Sequence, residues 1–169
     1  MWGDYLPPAT NGVIANGASP TAIIYSDGLD QITNSVEYPG PHITNAVNVA
    51  GYVSWGSHSA LNIDFPFYVS WQGDSGWWII ETIESYNGQP WGGGMSNFYL
   101  WFSSGAFGGT NYSNTPVGAV THVDEPNGGW NDPYVYFGLW QAGKNFGMCA
   151  WNSQRTAYFQ AVGDPLVSK

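Results

Sequence analysis

Residue types that do acid–base and nucleophilic work fall just beyond apolar runs in this chain. His58 follows GYVSWG, Glu84 and Ser85 follow WWIIETI, His122, Asp124 and Glu125 follow PVGAVT, and Asp164 follows YFQAV. A histidine or glutamate so placed can take a proton, and a serine beside it can attack a carbonyl. The expected site therefore has His58 as general base, with Ser85 as nucleophile or Glu84 activating water. Asp124, Glu125 and Asp164 are oxygen donors of the kind that hold Ca²⁺, so calcium is the expected cofactor and no organic cofactor is implied. Trp55, Trp91 and Trp130 stand in glycine loops or at strand ends, where a ring can stack on a sugar. Convergence of these groups on one edge requires that the strands run parallel, because ligands of open α/β sheets bind beyond the carboxyl ends.

A second serine invites comparison. Gly73-Asp74-Ser75-Gly76 reads like the turn that carries the nucleophile of trypsin-like peptidases, with His58 and Asp64 upstream in the matching order. The spacing does not match, since all three fall within eighteen residues. Trp77 also replaces the residue that would continue the motif. Ser75 is read as a turn residue between two apolar strands.

The elements that must position these residues are short and alternate in type. Residues 1–20 are rich in Pro, Gly and Asn and read as a loop or arm, with a single domain over 21–169. Thr21–Tyr25 is an expected strand. NVAGYVSWGSHS, FPFYVSW and GWWIIETIES are three more, the last apolar enough for a strand buried on both faces. MSNFYLWFSSGAF is an expected short helix with Ser96 or Asn97 near its N-cap. PVGAVTHVDEP is a strand ended by Pro126. One helical pattern covers NDPYVYFGLWQAGKNFGMCAW, with Asp132 as N-cap and Pro133 at the first helical position. AYFQAVGDPLV is a strand and a turn. The alternation implies an α/β fold with a mostly parallel sheet and flanking helices. The alternative is a β-sandwich, for which the glycine and aromatic content speaks.

Composition narrows the partners. Three basic residues stand against 12 acids, for a net charge of −9. Phosphate neutralisation needs Lys and Arg, so nucleic acid is not an expected partner, and neither is an anionic membrane. A neutral small molecule or glycan fits better. The N-terminus MWGDYLPPATNG has neither the basic nor the apolar region of a signal peptide. It is expected to begin a piece of a longer, secreted protein. Cys149 is the only cysteine, which excludes an internal disulfide and reads as a small buried residue. Asn111-Tyr112-Ser113 fits a glycosylation sequon.

GYVSWGSHS, PVGAVTHVDEP and AVGDPLV together resemble the C-terminal part of an uncharacterised bacterial family with a GYxSWGS strand and a closing GDPL. More remotely, their order is similar to gingipain-type, caspase-like α/β peptidases. That resemblance covers roughly residues 49–167 and implies a caspase-like sandwich whose first strands lie upstream. It puts His58 at the peptidase histidine, but Ser85 or Tyr86 where the peptidases have cysteine. Two functions follow as expectations. One is a hydrolase of a neutral glycoside, ester or lactone. The other is a non-catalytic carbohydrate-binding or interaction module. An inactive peptidase-like fold is a third. A truncated sheet would expose an edge, so a homodimer is also expected.

Overall fold

The computed structural model describes residues 23–27, 46–47, 49–54, 65–72, 77–82, 84–89 and 97–169. Five strands form one sheet: β1 (Ile23–Asp27), β3 (Val49–Ser54), β5 (Ile79–Thr82), β6 (Gly118–His122) and β7 (Phe159–Gly163), adjacent in that order. The first four are parallel and β7 is antiparallel to β6. β2 (Ala46–Val47) and β4 (Trp71–Gln72) pair in a separate parallel ribbon. Parallel neighbours demand crossover segments, and the helices supply cover for both faces. This is the expected α/β architecture, and it excludes the β-sandwich.

β5 is central, and all four of its residues are buried, Glu81 and Thr82 along with the two isoleucines. One sheet face packs on an aromatic cluster. Trp78 meets Phe107 edge-on at 4.7 Å, Trp71 stacks on Phe107 at 5.5 Å, and Tyr52 meets Trp71 edge-on at 5.3 Å. Such edge-to-face and stacked geometries favour one arrangement beyond simple burial. The Asn114 amide donates to the carbonyls of Trp71 and Phe107, and the Asn114 carbonyl accepts from Trp78 Nε1, so one residue pins three elements.

The other face is covered by α2 (Pro133–Gln141) and α3 (Phe146–Ser153), which follow a single short turn, α1 (Phe98–Trp101). Glycines in the strands are their sockets. A Cβ on Gly51 would lie 2.5 Å from Phe137, and one on Gly118 would overlap Phe146. Two strand glycines therefore let two helix phenylalanines reach the backbone.

Three local expectations change. β1 lies two residues later than Thr21–Tyr25. FPFYVSW is not a continuous strand: Phe65–Phe67 is a 3-10 turn around Pro66, which has no N–H for a ladder, and only Trp71–Gln72 is extended. The long helical pattern is two helices. Gly143 takes φ +75°, its N–H bonds Trp140 O, and Lys144 N–H bonds Leu139 O. That paired closure ends α2, and only glycine adopts it without strain. Asn145 then caps α3 through Met148 N–H. Asp132 caps α2 as expected, accepting from Tyr134 and Val135, with Pro133 behind it. Residues 1–20 lie outside the described residues.

Candidate functional site

The chain leaves the sheet after Thr82, the last residue of the central strand, and returns beside His122, the last residue of β6. Between them Glu84–Gln89 folds over the carboxyl end of the sheet. Its anchor is Asn87, which is wholly buried. Asn87 Nδ2 donates to Thr82 Oγ1 at 2.5 Å, and its Oδ1 accepts from His122 N–H at 2.9 Å. Gly88 N–H donates to His122 O at 2.9 Å. A side-chain amide thus continues the ladder where β5 has left it, which satisfies backbone groups that would otherwise be orphaned. Gly88 has no room for a Cβ, which would sit 2.7 Å from Thr121 Oγ1.

This anchoring lifts residues 85 and 86 outward. Ser85 Oγ donates to Glu125 Oε2 at 2.6 Å, and both residues reach solvent. Tyr86 has φ +58°, a region that bulky residues rarely occupy. Its hydroxyl bonds the Asp124 carboxylate. That bond, with the charges of Asp124 and Glu125, holds the phenol above its ordinary value. Two hydroxyl–carboxylate pairs therefore link the loop after β5 to the loop after β6. Asp124 Oδ1 also accepts from Glu125 N–H at 2.7 Å, and Asn127, at φ +50°, donates to Glu125 O.

Two buried titratable groups lie beneath. His122 has no exposed surface, and its Nδ1 faces Glu84 O at 3.2 Å. A carbonyl only accepts, so Nδ1 carries the proton and Nε2 the lone pair. Nε2 has no hydrogen-bond partner among the described residues. Burial pushes the ring down to about 4, outweighing the Glu84 carbonyl and the Glu125 charge. Glu81, on the central strand, is fully buried, and neither carboxyl oxygen has a hydrogen-bond partner among the described residues. Burial drives its pKa well above the usual carboxylate range; the Asp132 charge adds to this and Arg155 opposes it.

No family model, curated protein or solved structure matches this chain. The geometry therefore stands by itself.

Of the expected site residues, Ser85, Glu125 and Asp124 are brought together at one end of the sheet. Glu84 is present but buried at 1% exposure, with its carbonyl against His122. His58, Trp55, Trp91 and Ser75 lie outside the described residues. Trp130 is half-buried just before α2. Asp164 is a correction. β7 runs antiparallel, with Gly163 opposite Gly118 at the start of β6, so Asp164 emerges at the other end from Asp124 and Glu125. There its Oδ1 accepts Leu166 N–H and shapes the turn before Val167. Among the described residues, no three His, Cys, Asp or Glu side chains gather as a metal set. Asn87 and Glu81 were not singled out by sequence reasoning. Asn87-Gly88 is the usual signature of a flexible turn, and only the structure reveals its buried role.

Proposed function

We propose that the protein is a hydrolase of a neutral polar small molecule, an ester or lactone, with Ser85 as nucleophile and Glu125 as its base. The observation that carries this reading is the 2.6 Å hydrogen bond from Ser85 Oγ to Glu125 Oε2 beyond neighbouring parallel strands. A serine becomes nucleophilic when an adjacent base takes its proton. In the first step Ser85 Oγ bonds to the substrate carbonyl carbon and its proton passes to Glu125. The carbon–oxygen bond to the leaving alcohol then breaks, and that alcohol takes the proton. Water attacks the acyl-serine in the second step, gives a proton to Glu125, and Ser85 recovers its hydrogen as the acid departs. Tyr86 and Asp124, next in sequence to the reacting pair, border the site, and the strained Tyr86 backbone fits a loop held open for function.

The caspase-like sandwich is proposed as the finer fold. A mostly parallel sheet with an antiparallel edge strand supports it. Thiol chemistry is not part of the proposal: Cys149 is buried in α3, and burial pushes it up to about 12. A glycoside is less well served, because those hydrolyses use two facing carboxyl groups.

A fluorophosphonate probe tests the reading without a known substrate. Covalent labelling located at Ser85 by peptide mass spectrometry, and lost in Ser85→Ala and Glu125→Gln, is the expected result. A folded protein that neither takes the label nor releases p-nitrophenol from p-nitrophenyl acetate would overturn it.

A further inference from the structure

The dipeptide Asn-Gly occurs twice among the described residues, and the fold treats the two copies in opposite ways. In Asn87-Gly88 the reactive groups are committed. Asn87 is wholly buried, its amide nitrogen lies 2.5 Å from Thr82 Oγ1, and its amide oxygen accepts His122 N–H. Gly88 N–H is bonded to His122 O at 2.9 Å, and a Cβ there would lie 2.7 Å from Thr121 Oγ1. Asn127-Gly128 stands at the surface, just beyond Glu125. Both of its residues are exposed, and a Cβ on Gly128 would meet nothing within 4 Å. The peptide between them therefore has room to rotate.

The backbone defines the turn that carries the second copy. Pro126 O accepts Gly129 N–H at 2.8 Å, with Asn127 at φ +50° and Gly128 at φ +85° between them. Two positive φ angles in a two-residue turn are the shape for which Asn-Gly is the favoured pair. The Asn127 amide makes one hydrogen bond among the described residues, from Nδ2 to Glu125 O at 3.2 Å. Gly128 N–H donates none among them. A free backbone N–H next to an unhindered carboxamide is the arrangement from which a succinimide forms. Glycine favours it further, because no side chain shields its nitrogen.

We propose that Asn127 is a site of spontaneous deamidation, open to the reaction in the folded protein while Asn87 is protected from it. Gly128 N gives up its proton to solvent and bonds to Asn127 Cγ. The Cγ–Nδ2 bond breaks, and the nitrogen leaves as ammonia, which closes the succinimide ring. Water then opens the ring. Cleavage of one imide bond leaves aspartate in the ordinary main chain. Cleavage of the other leaves isoaspartate, in which the main chain runs through the former side chain and is one atom longer. Either product replaces the donor to Glu125 O by a carboxylate, which only accepts. The loop that carries Asp124 and Glu125 thereby gains a third carboxylate and loses its tie to residue 127. The modification does not depend on the hydrolase reading.

Ageing the purified protein in warm buffer at pH 8 tests it, with peptide mass spectrometry at successive times. Exchange of amide for acid should appear at Asn127 and run about a hundredfold ahead of Asn87, where reaction waits on opening of a buried loop. In urea-unfolded protein the two sites should convert at similar rates. An isoaspartyl methyltransferase supplied with labelled S-adenosylmethionine should mark the Asn127 peptide of the aged native protein. It should leave the same peptide of Asn127→Gln unmarked, because the longer side chain closes the ring far more slowly. Asn11-Gly12 and Asn16-Gly17, outside the described residues, are read on separate peptides. Equal conversion of Asn127 and Asn87 in the native protein would overturn the proposal. So would a native Asn127 peptide without isoaspartate after the unfolded chain has converted.

Discussion

Asn87 and His122 are tied across the carboxyl end of the sheet, with the Asn87 amide oxygen accepting the His122 backbone N–H at 2.9 Å. The chain can therefore leave the ladder at Thr82 without abandoning the last residue of β6. Asn87→Ala leaves that buried N–H without its acceptor and should cost about 1–3 kcal/mol in urea unfolding. An unchanged midpoint would mean that another group takes over the amide's role.

Glu125 and Ser85 should fall together. If the carboxylate takes the serine proton, Glu125→Gln should lower ester turnover by about 10²–10⁴-fold, the scale of a general base. Glu125→Gln with normal turnover, beside an inactive Ser85→Ala, would assign the base to another residue.

Glu81 makes stability depend on pH in one direction. Its folded pKa is raised above the ordinary 4.5, so the folded chain holds a proton that the unfolded chain loses. The contribution is full below that value and is lost as pH rises towards the folded pKa. The expected slope is about 1.4 kcal/mol per pH unit. Asp132 and its ion-pair partner Arg155 are the charged groups that act on it. In Glu81→Gln that component of the slope should vanish, leaving only the His122 contribution below pH 6.5. Denaturation midpoints of the two proteins from pH 5 to 9 provide the check, and parallel curves would show that Glu81 ionises freely in the fold.

His122 works in the opposite sense. Its ring is lowered from 6.5 to about 4, so the unfolded chain binds more protons between those values. Stability should decline as pH falls through that window, by on the order of 3 kcal/mol in full. Nitrogen NMR at pH 6 should find a neutral ring protonated at Nδ1. An imidazolium at that pH would contradict the burial argument.

The glycine sockets predict overpacking. Gly51→Ala puts a methyl 2.5 Å from the Phe137 ring and should cost about 1–3 kcal/mol. Combining it with Phe137→Leu should recover part of that loss in thermal unfolding. A fully additive double variant would show that the two residues do not share the contact.

Much of this fold is legible in the residues because its signals are local. Asp132-Pro133 marks the start of α2, and the apolar run through Ile79 and Ile80 marks a strand covered on both faces. The apolar spacing from Asp132 to Trp151 reads as one helix, although the left-handed φ of Gly143 makes that glycine the boundary between two. The direction of β7 was not legible. Parallel and antiparallel edge strands share the same alternation, so Asp164 was expected beside Glu125 and stands at the far end. Ser85 and Glu125 were each chosen from the sequence, but in different roles, nucleophile and calcium ligand. Their pairing needed the register of β5 against β6, which fixes Glu81 opposite Val120 and so sets both exit loops.

Cys149 is the only thiol in the chain, and its burial pushes it up to about 12. At any ordinary working pH it stays protonated, and a maleimide has no thiolate to meet there. The native sequence is thus already a clean background for site-directed probes. Gly105 has open space around its missing Cβ, in the turn before Ala106. A fluorophore or spin label carried by Gly105→Cys would attach at one place, with no other cysteine to remove first.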